Sequence, residues 1–313
     1  MQIETQPNIH TGVRTRTRRH SRHQDKIVDA LLKLPIQVLN ALPFFAMEAR
    51  REARCITLTR MSLTVDNLPR PFEGLKLAFL TDFHSGPTTP ADFLKRVVDE
   101  TNRENPDVVL LGGDYITLEL AYLSEIGEAL RRLHAPLGVY GVLGNHDYWQ
   151  DANAVHHMLE TAGVVDVTNA GRWLHRENSR IRIAGIGDLW EDLPDLHTAV
   201  GGAHETEPVI LLSHNPDYAM ELQDPRVKVV LSGHTHGGQI CLPKIGPVIT
   251  NSKYGKRVAS GHVQFDSFQV YTSRGLGTVV APFRYNCPPE VAVFTLRGSP
   301  PNELRRLSKA QIG

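Results

Sequence analysis

Apolar residues along the chain follow two alternating spacings, and the alternation predicts its elements. Leu75–Leu80 is a short apolar run and predicts a strand. Ala91–Asn102 carries apolar residues at helical spacing, and Val108–Leu111, approached through Pro106, is again an uninterrupted apolar run. A second helix is expected over Ala121–Leu133, a third strand over Gly138–Val142, and a third helix over Ala152–Thr161, closed by Gly163. Arg180–Ile186 predicts a strand paired as a hairpin with the segment near Trp173. Val209–Leu212 and Val227–Leu231 predict buried strands, and Phe268–Thr272 and Val291–Leu296 close the pattern. Strands alternating with helices imply an α/β domain. The late hairpin-like strands make its sheets mixed rather than purely parallel.

The stretch before this pattern is different. Residues 1–25 are polar and Arg-rich and predict a disordered arm. Ile27, Leu31, Leu34, Val38, Leu42 and Phe45 then recur at helical spacing, with Lys33, Arg50, Arg51 and Arg54 nearby. Pro35 and Pro43 are expected to break or kink any helix here. Lys33, Asn40 and the two prolines interrupt the run too often for a transmembrane span of about 20 apolar residues. No clean apolar core for a secretory signal is present either. Two readings stand: a basic amphipathic segment lying on an anionic membrane surface, and a helix packed on the body. The expected organisation is an arm over residues 1–55, a catalytic domain over 56–299 and a tail over 300–313.

Composition supports one sizeable core: of 313 residues, 41% are hydrophobic and 22% charged. Cys55, Cys241 and Cys287 are widely spaced and form no CxxC pair, which favours a reduced compartment over a disulfide scaffold. Charge is uneven. Residues 1–60 hold eleven Lys/Arg against five acids, a net +6, so residues 61–313 carry −6. An acidic body with no basic groove and only 7% aromatic residues argues against a nucleic-acid partner.

The candidate chemistry lies in five short motifs: Asp82-Phe83-His84, Gly112-Gly113-Asp114, Gly144-Asn145-His146-Asp147, Ser213-His214-Asn215 and Gly233-His234-Thr235-His236. Each follows a predicted strand, where the functional loops of α/β sheets collect. Asp82/His84 and His234/His236 are spaced i, i+2, so in extended backbone each pair faces one side and can chelate one ion. The donors are imidazole, carboxylate and amide with no thiolate, a set that suits Mn, Fe or Zn. Each motif alone has an ordinary reading as a turn or loop. Together they point to one two-metal hydrolytic site, since paired ions about 3.5–4 Å apart clamp the attacking and leaving oxygens of a phosphoryl displacement.

The order D-x-H, G-D, G-N-H-D, H, G-H-x-H resembles that of the calcineurin-like metallophosphoesterase superfamily. Gly233–Gln239 (GHTHGGQ) and Ser273–Gly277 (SRGLG) resemble more narrowly its bacterial YkuE/YaeI-type phosphodiesterase branch. The resemblance covers roughly residues 56–297. It implies a four-layer α/β/β/α sandwich with mixed sheets and two divalent or trivalent metal ions, manganese first, with iron or zinc as alternatives. Asp82, His84 and His236 would hold one ion, Asp114 would bridge, and Asn145, His214 and His234 would hold the other. A metal-bridging hydroxide would attack phosphorus. His146 would be the general acid rather than a ligand, and Asp147 would orient it.

The implied activity is that of a phosphodiesterase or pyrophosphatase acting on a phosphodiester or pyrophosphate substrate, lipid-linked if the arm binds membrane. That reading places the chain in the cytoplasm, peripheral on the inner face of the membrane. One alternative is an enzyme like UDP-2,3-diacylglucosamine pyrophosphatase. The alternative of another class is a non-catalytic scaffold, which the full set of site residues disfavours. Tyr148 and Trp149 either line the substrate pocket or pack against the next helix, with Asp188 and Trp190 flanking the same motifs. Arg274 either contacts phosphate or forms a structural salt bridge.

Overall fold

The computed structural model describes residues 43–299, which fold into two six-stranded sheets packed face to face. Helix α1 (Pro43–Glu52) leads into β1 (Thr57–Val65). Two βα steps and a third strand follow: β2 (Lys76–Leu80), α2 (Ala91–Arg103), β3 (Val108–Leu111), α3 (Leu123–Leu130) and β4 (Val139–Gly141). Two short helices, α4 (Asn145–Gln150) and α5 (Ala152–Thr161), lead to β5 (Val165–Asp166). The chain then enters the second sheet through the antiparallel pair β6 (Ala170–Arg176) and β7 (Ser179–Gly185). There follow α6 (Leu196–Val200), β8 (Val209–Leu212), β9 (Val227–Ser232), the small hairpin β10 (Cys241–Leu242) and β11 (Gly246–Pro247), β12 (Gly261–Gln264) and β13 (Gln269–Thr272). Finally β14 (Glu290–Gly298) returns to the first sheet.

The first sheet runs β1-β14-β2-β3-β4-β5 and the second β12-β13-β9-β8-β7-β6. In the first, β2, β3, β4 and β5 are mutually parallel and β14 lies antiparallel to β2. In the second, β7, β8, β9 and β13 are parallel, with antiparallel strands at both edges. The sheets are therefore mixed, as the late hairpins require.

Each central strand is apolar on both faces because each face meets a different layer. In β3, Val108 and Leu110 enter the core between the sheets, while Val109 and Leu111 meet the helices. In β8, Ile210 and Leu212 enter the inter-sheet core, and Val209 and Leu211 the outer one. Phe93, Leu94, Val97 and Val98 of α2 form the stripe that covers the first sheet. The second sheet is covered more thinly, by α6 and short 3₁₀ turns. Helices, sheet, sheet and helix make the four-layer α/β/β/α sandwich.

Several boundaries differ from expectation. The helix expected over Ala121–Leu133 is α over Leu123–Leu130 only. A 3₁₀ turn precedes it, and i→i−3 bonds from Arg132 and Leu133 tighten its end. Pro43 begins α1, where its missing N–H costs nothing. Of the amphipathic segment 26–54, only the part from Pro43 onward is described. The arm before it and the tail 300–313 lie outside the described residues. Cys55, Cys241 and Cys287 are free thiols.

Phe294 of β14 sits fully buried in the inter-sheet core, edge-on to Tyr271 with ring centroids 4.8 Å apart. Replacing it with alanine should cost about 3–5 kcal/mol. Urea unfolding followed by circular dichroism reads this directly, and a loss below about 1 kcal/mol would show that the two sheets repack around the gap.

Candidate metal centre

The carboxyl ends of β2, β3, β8 and β9, with the loop after β4, meet along one edge of the sandwich. This edge gathers all seven predicted ligands, and each of them is at most 5% exposed. Backbone bonds staple the loops together. Asp82 N–H donates to Gly113 O at 2.9 Å, His84 N–H to Asp114 O at 3.0 Å, and Gly233 N–H to His214 O at 3.0 Å. Across the two sheets, His234 N–H donates to Asp82 Oδ1 at 2.9 Å.

Two knots of donor atoms share one oxygen. In the first, His84 Nε2 lies 3.0 Å from His236 Nε2 and 3.4 Å from Asp114 Oδ2, and His236 Nε2 lies 3.4 Å from Asp82 Oδ1. In the second, Asn145 Oδ1 lies 3.2 Å from His214 Nε2 and 2.9 Å from His234 Nδ1, and His214 Nε2 lies 3.2 Å from Asp114 Oδ2. Asp114 Oδ2 thus belongs to both. Sequence spacing paired Asp82 with His84 and His234 with His236 on one side of extended strands. The first pair does converge on one knot, but His234 and His236 diverge into different knots. Neither pair is in extended backbone: His234 (φ 70°) and His236 (φ 53°) are left-handed, as are Asp82, His84 and Asp114. That strain, in five of the seven positions, marks a functional loop set.

The electrostatics call for a cation. Burial and the nearby Asp114 carboxylate push Asp82 up to about 6, His214 acting against them, and burial raises Asp188 to about 6. Burial also lowers His84, His236 and His234, the last to about 3, so these rings are neutral and offer lone pairs. His214 is the exception. Burial would lower it, but Asp114 and then Asp82 and Asp188 outweigh that and hold it up to about 10. A field that holds a proton there this firmly is the field that holds a divalent ion. His214 Nδ1 meets the Gly112 carbonyl at 2.7 Å, so Nδ1 carries hydrogen and Nε2 faces the knot. Asp82 Oδ2 and Asp188 Oδ2 are buried without hydrogen-bond partners. The donor set therefore fits two metal ions.

His146 and Asp147 open α4, a helix where sequence suggested only a turn. Asp147 does not reach the imidazole, which corrects the expected orienting role. Its carboxylate instead accepts the backbone N–H groups of Asp114, Tyr115 and Gly144, each at 2.9 Å, and so fixes the loop that carries Asp114. His146 Nδ1 is held by the Thr117 carbonyl at 3.1 Å, a backbone contact that no motif announces. Trp149 lies on the His146 ring, 4.4 Å between centroids, and Trp190 meets His234 edge-on at 4.3 Å. Trp149 is 49% exposed and Trp190 37%, so both border the mouth of the site. Tyr148 turns inward and donates to Asp192 at 2.8 Å.

Arg274 forms the structural alternative, a bridge to Glu290 at 3.1 Å with Thr57 Oγ1 at 3.0 Å. Arg284 escaped sequence reasoning. It is fully buried, donates to the carbonyls of Gly277 and Cys287, and stands 3.4 Å from His236 Nδ1. An arginine in a loop without a motif gives no signal.

Gly144 is required by space alone. A Cβ there would lie 2.3 Å from Asp114 Oδ1 and 2.7 Å from His214 Cε1. Gly144→Ala should keep the fold, read as an unchanged circular dichroism spectrum, and lower bound metal by about 10–100-fold in affinity. Metal titration checks this; unchanged affinity would mean that Asp114 does not need its present position.

Comparison with known proteins agrees with this geometry. Residues 75–238 match the family described as calcineurin-like phosphoesterase. The chain is 35% identical over 252 residues to the uncharacterized metallophosphoesterase YkuE of Bacillus subtilis, covering 79% of this chain and 88% of that protein. It is 29% identical to phosphodiesterase YaeI of Escherichia coli K12, covering 76% and 86%. It is 30% identical to UDP-2,3-diacylglucosamine pyrophosphatase LpxG of Chlamydia trachomatis, covering 78% and 90%. With strand ends, donor knots and family match in agreement, the chain belongs to the calcineurin-like phosphoesterases, a family of binuclear metal-dependent hydrolases.

Proposed function

We propose that this phosphoesterase cleaves a phosphodiester or pyrophosphate link, with Asp82, His84 and His236 holding one ion, Asn145, His214 and His234 the other, and Asp114 both. The observation that carries this reading is the shared Asp114 Oδ2 between two donor knots. Mixed nitrogen and oxygen donors suit manganese, with iron or zinc as alternatives. When bound, the ions supply an activated water as nucleophile and neutralise the phosphoryl oxygens.

The chain's own groups supply the rest. His146, held through Nδ1 by Thr117 O, keeps Nε2 for the leaving oxygen and protonates it there. Trp149 packs on that ring and limits its rotation. Asp147 acts at one remove, by holding the Asp114 loop. The exposed faces of Trp149 and Trp190 suit a substrate with an apolar or planar group beside the phosphate. A lipid-linked substrate of this kind is the class that the relative named as a UDP-2,3-diacylglucosamine pyrophosphatase acts on. The basic arm would bring the enzyme to an anionic membrane surface on the cytoplasmic side. No helix among the described residues is long and apolar enough to cross a membrane.

Asp114→Asn and His234→Ala should each lose bound metal, and turnover of bis-p-nitrophenyl phosphate in Mn²⁺ should fall by more than about 100-fold, since even outer partners of a metal site carry 10–100-fold. His146→Ala should keep its metal. Its kcat should fall by about 10²–10⁴-fold on a poor leaving group and less on p-nitrophenolate, which needs no proton. Equal losses on both leaving groups would sink the acid role. Metal binding without turnover of any diester by the wild type would favour the scaffold alternative.

A further inference from the structure

The face beside the site mouth carries an apolar and basic surface that catalysis does not use. Three segments are welded there. The β10–β11 hairpin pairs with the loop after Gly277 through Ile240 and Tyr285, with Cys241 N–H donating to Tyr285 O at 2.8 Å. Phe45 of α1 packs on the same tyrosine, 4.4 Å between rings, and Arg284 N–H donates to Ala49 O at 3.0 Å. Gln239, three residues after His236, clamps the loop by donating to the carbonyls of Val279 and Ala281, both at 3.1 Å. The inner side of this assembly is apolar and closed: Ala46, Ala49, Ala281 and Phe283 form a small buried core.

The outer side is apolar too, and it is open. Phe44 is 75% exposed, Ile245 59%, Val280 55% and Val248 54%. Val280 is held at φ 66°, a conformation that costs a β-branched residue, with its side chain out in water. Residues 240–260 contain Lys244, Lys253, Lys256 and Arg257 and no acid, inside a body whose residues 61–313 carry −6. All four basic side chains are exposed. Lys256 donates to the Ile245 carbonyl and Arg257 lies over the Phe265 ring, but none of the four has a carboxylate ion-pair partner among the described residues. Apolar side chains interleaved with such cations match the boundary between acyl chains and anionic headgroups.

We propose that residues 240–258, with Phe44 and Val280 beside them, are a second membrane-contacting element built into the catalytic body. They dock on a bilayer containing anionic phospholipid and turn the metal centre toward it. The proposal shares the membrane reading of the arm but does not depend on the arm. It explains how a lipid-linked phosphate could be reached without leaving the bilayer: only Gly237–Gln239 separates the docking segment from His236 in the donor knots.

The test is vesicle flotation of the full chain, using phosphatidylcholine alone and equal parts phosphatidylcholine and phosphatidylglycerol. The variants are Ile245→Asp with Val248→Asp, and Lys244→Gln with Lys253→Gln. Wild type should float with the anionic vesicles only. Each double variant should partition at least about tenfold less, with turnover of a soluble diester unchanged. Hydrogen exchange on the wild type should slow across 240–258 when vesicles are added, which decides the matter even if the aspartate variant misfolds. Variants that float like wild type would overturn the proposal and leave membrane contact to the arm. Equal flotation on neutral vesicles would overturn its electrostatic basis, and no flotation would remove both membrane readings while leaving the phosphoesterase reading intact. A concentration-dependent dimer broken by the same substitutions would assign the surface to a second copy of the chain.

Discussion

The carboxylate of Asp114 is the point on which the site depends. It is buried at the seam between the two sheets, and one of its oxygens is within 3.4 Å of His84 and 3.2 Å of His214. Burial alone would neutralise it. The positive field of His214 and then His146 outweighs burial and holds it well below the usual carboxylate range. An ionised carboxylate in this position needs compensating positive charge on both sides, and the two donor knots are placed to hold it. Asp147 serves the same requirement from behind. By accepting the N–H groups of Asp114 and Tyr115 it sets the loop, and burial with the neighbouring Asp114 charge pushes it up to about 7. The two acids are separated by function: one faces the ions, the other holds backbone.

Much of the fold was legible because the central strands are buried on both faces. Val108–Leu111 and Val209–Leu212 have no polar residue to blur their limits, and α5 is bounded by a capping aspartate and a following glycine. The first strand was not legible. Thr57–Val65 is half-exposed at an edge, and its parallel partner β14 lies more than two hundred residues further along the chain. Local pattern says little about such a pairing. Helix α4 was hidden for another reason. Gly-Asn-His-Asp reads as a turn, and it becomes a helix start only because Asp147 receives the Gly144 N–H.

The ligand positions were legible as residue types at strand ends, but their geometry was not. Alternation along an extended segment cannot anticipate left-handed backbone at His234 and His236, whose rings fall in different knots. Thr117 and Arg284 were beyond reach for a simpler reason: the one acts through a carbonyl, which every residue has, and the other through burial created by distant loops.

A site with five left-handed ligand positions, crowded carboxylates and unpartnered buried polar atoms is costly for the apo fold. Such a site persists only where the surroundings over-determine it. Here the surroundings are the inter-sheet core, which runs from Phe72 and Leu77 to Leu231 and Phe294, and the backbone staples among the loops. At this sheet edge each loop is tied to a neighbour rather than to its own strand. Asp82 answers to Gly113, His84 to Asp114, and Gly233 to His214. A cation entering the knots therefore relieves repulsion without having to move backbone, which is the condition for a preorganised centre. The same tying extends outward through Gln239 to the exposed apolar loop, so the surface that would meet a membrane and the atoms that would meet phosphate belong to one connected set of loops.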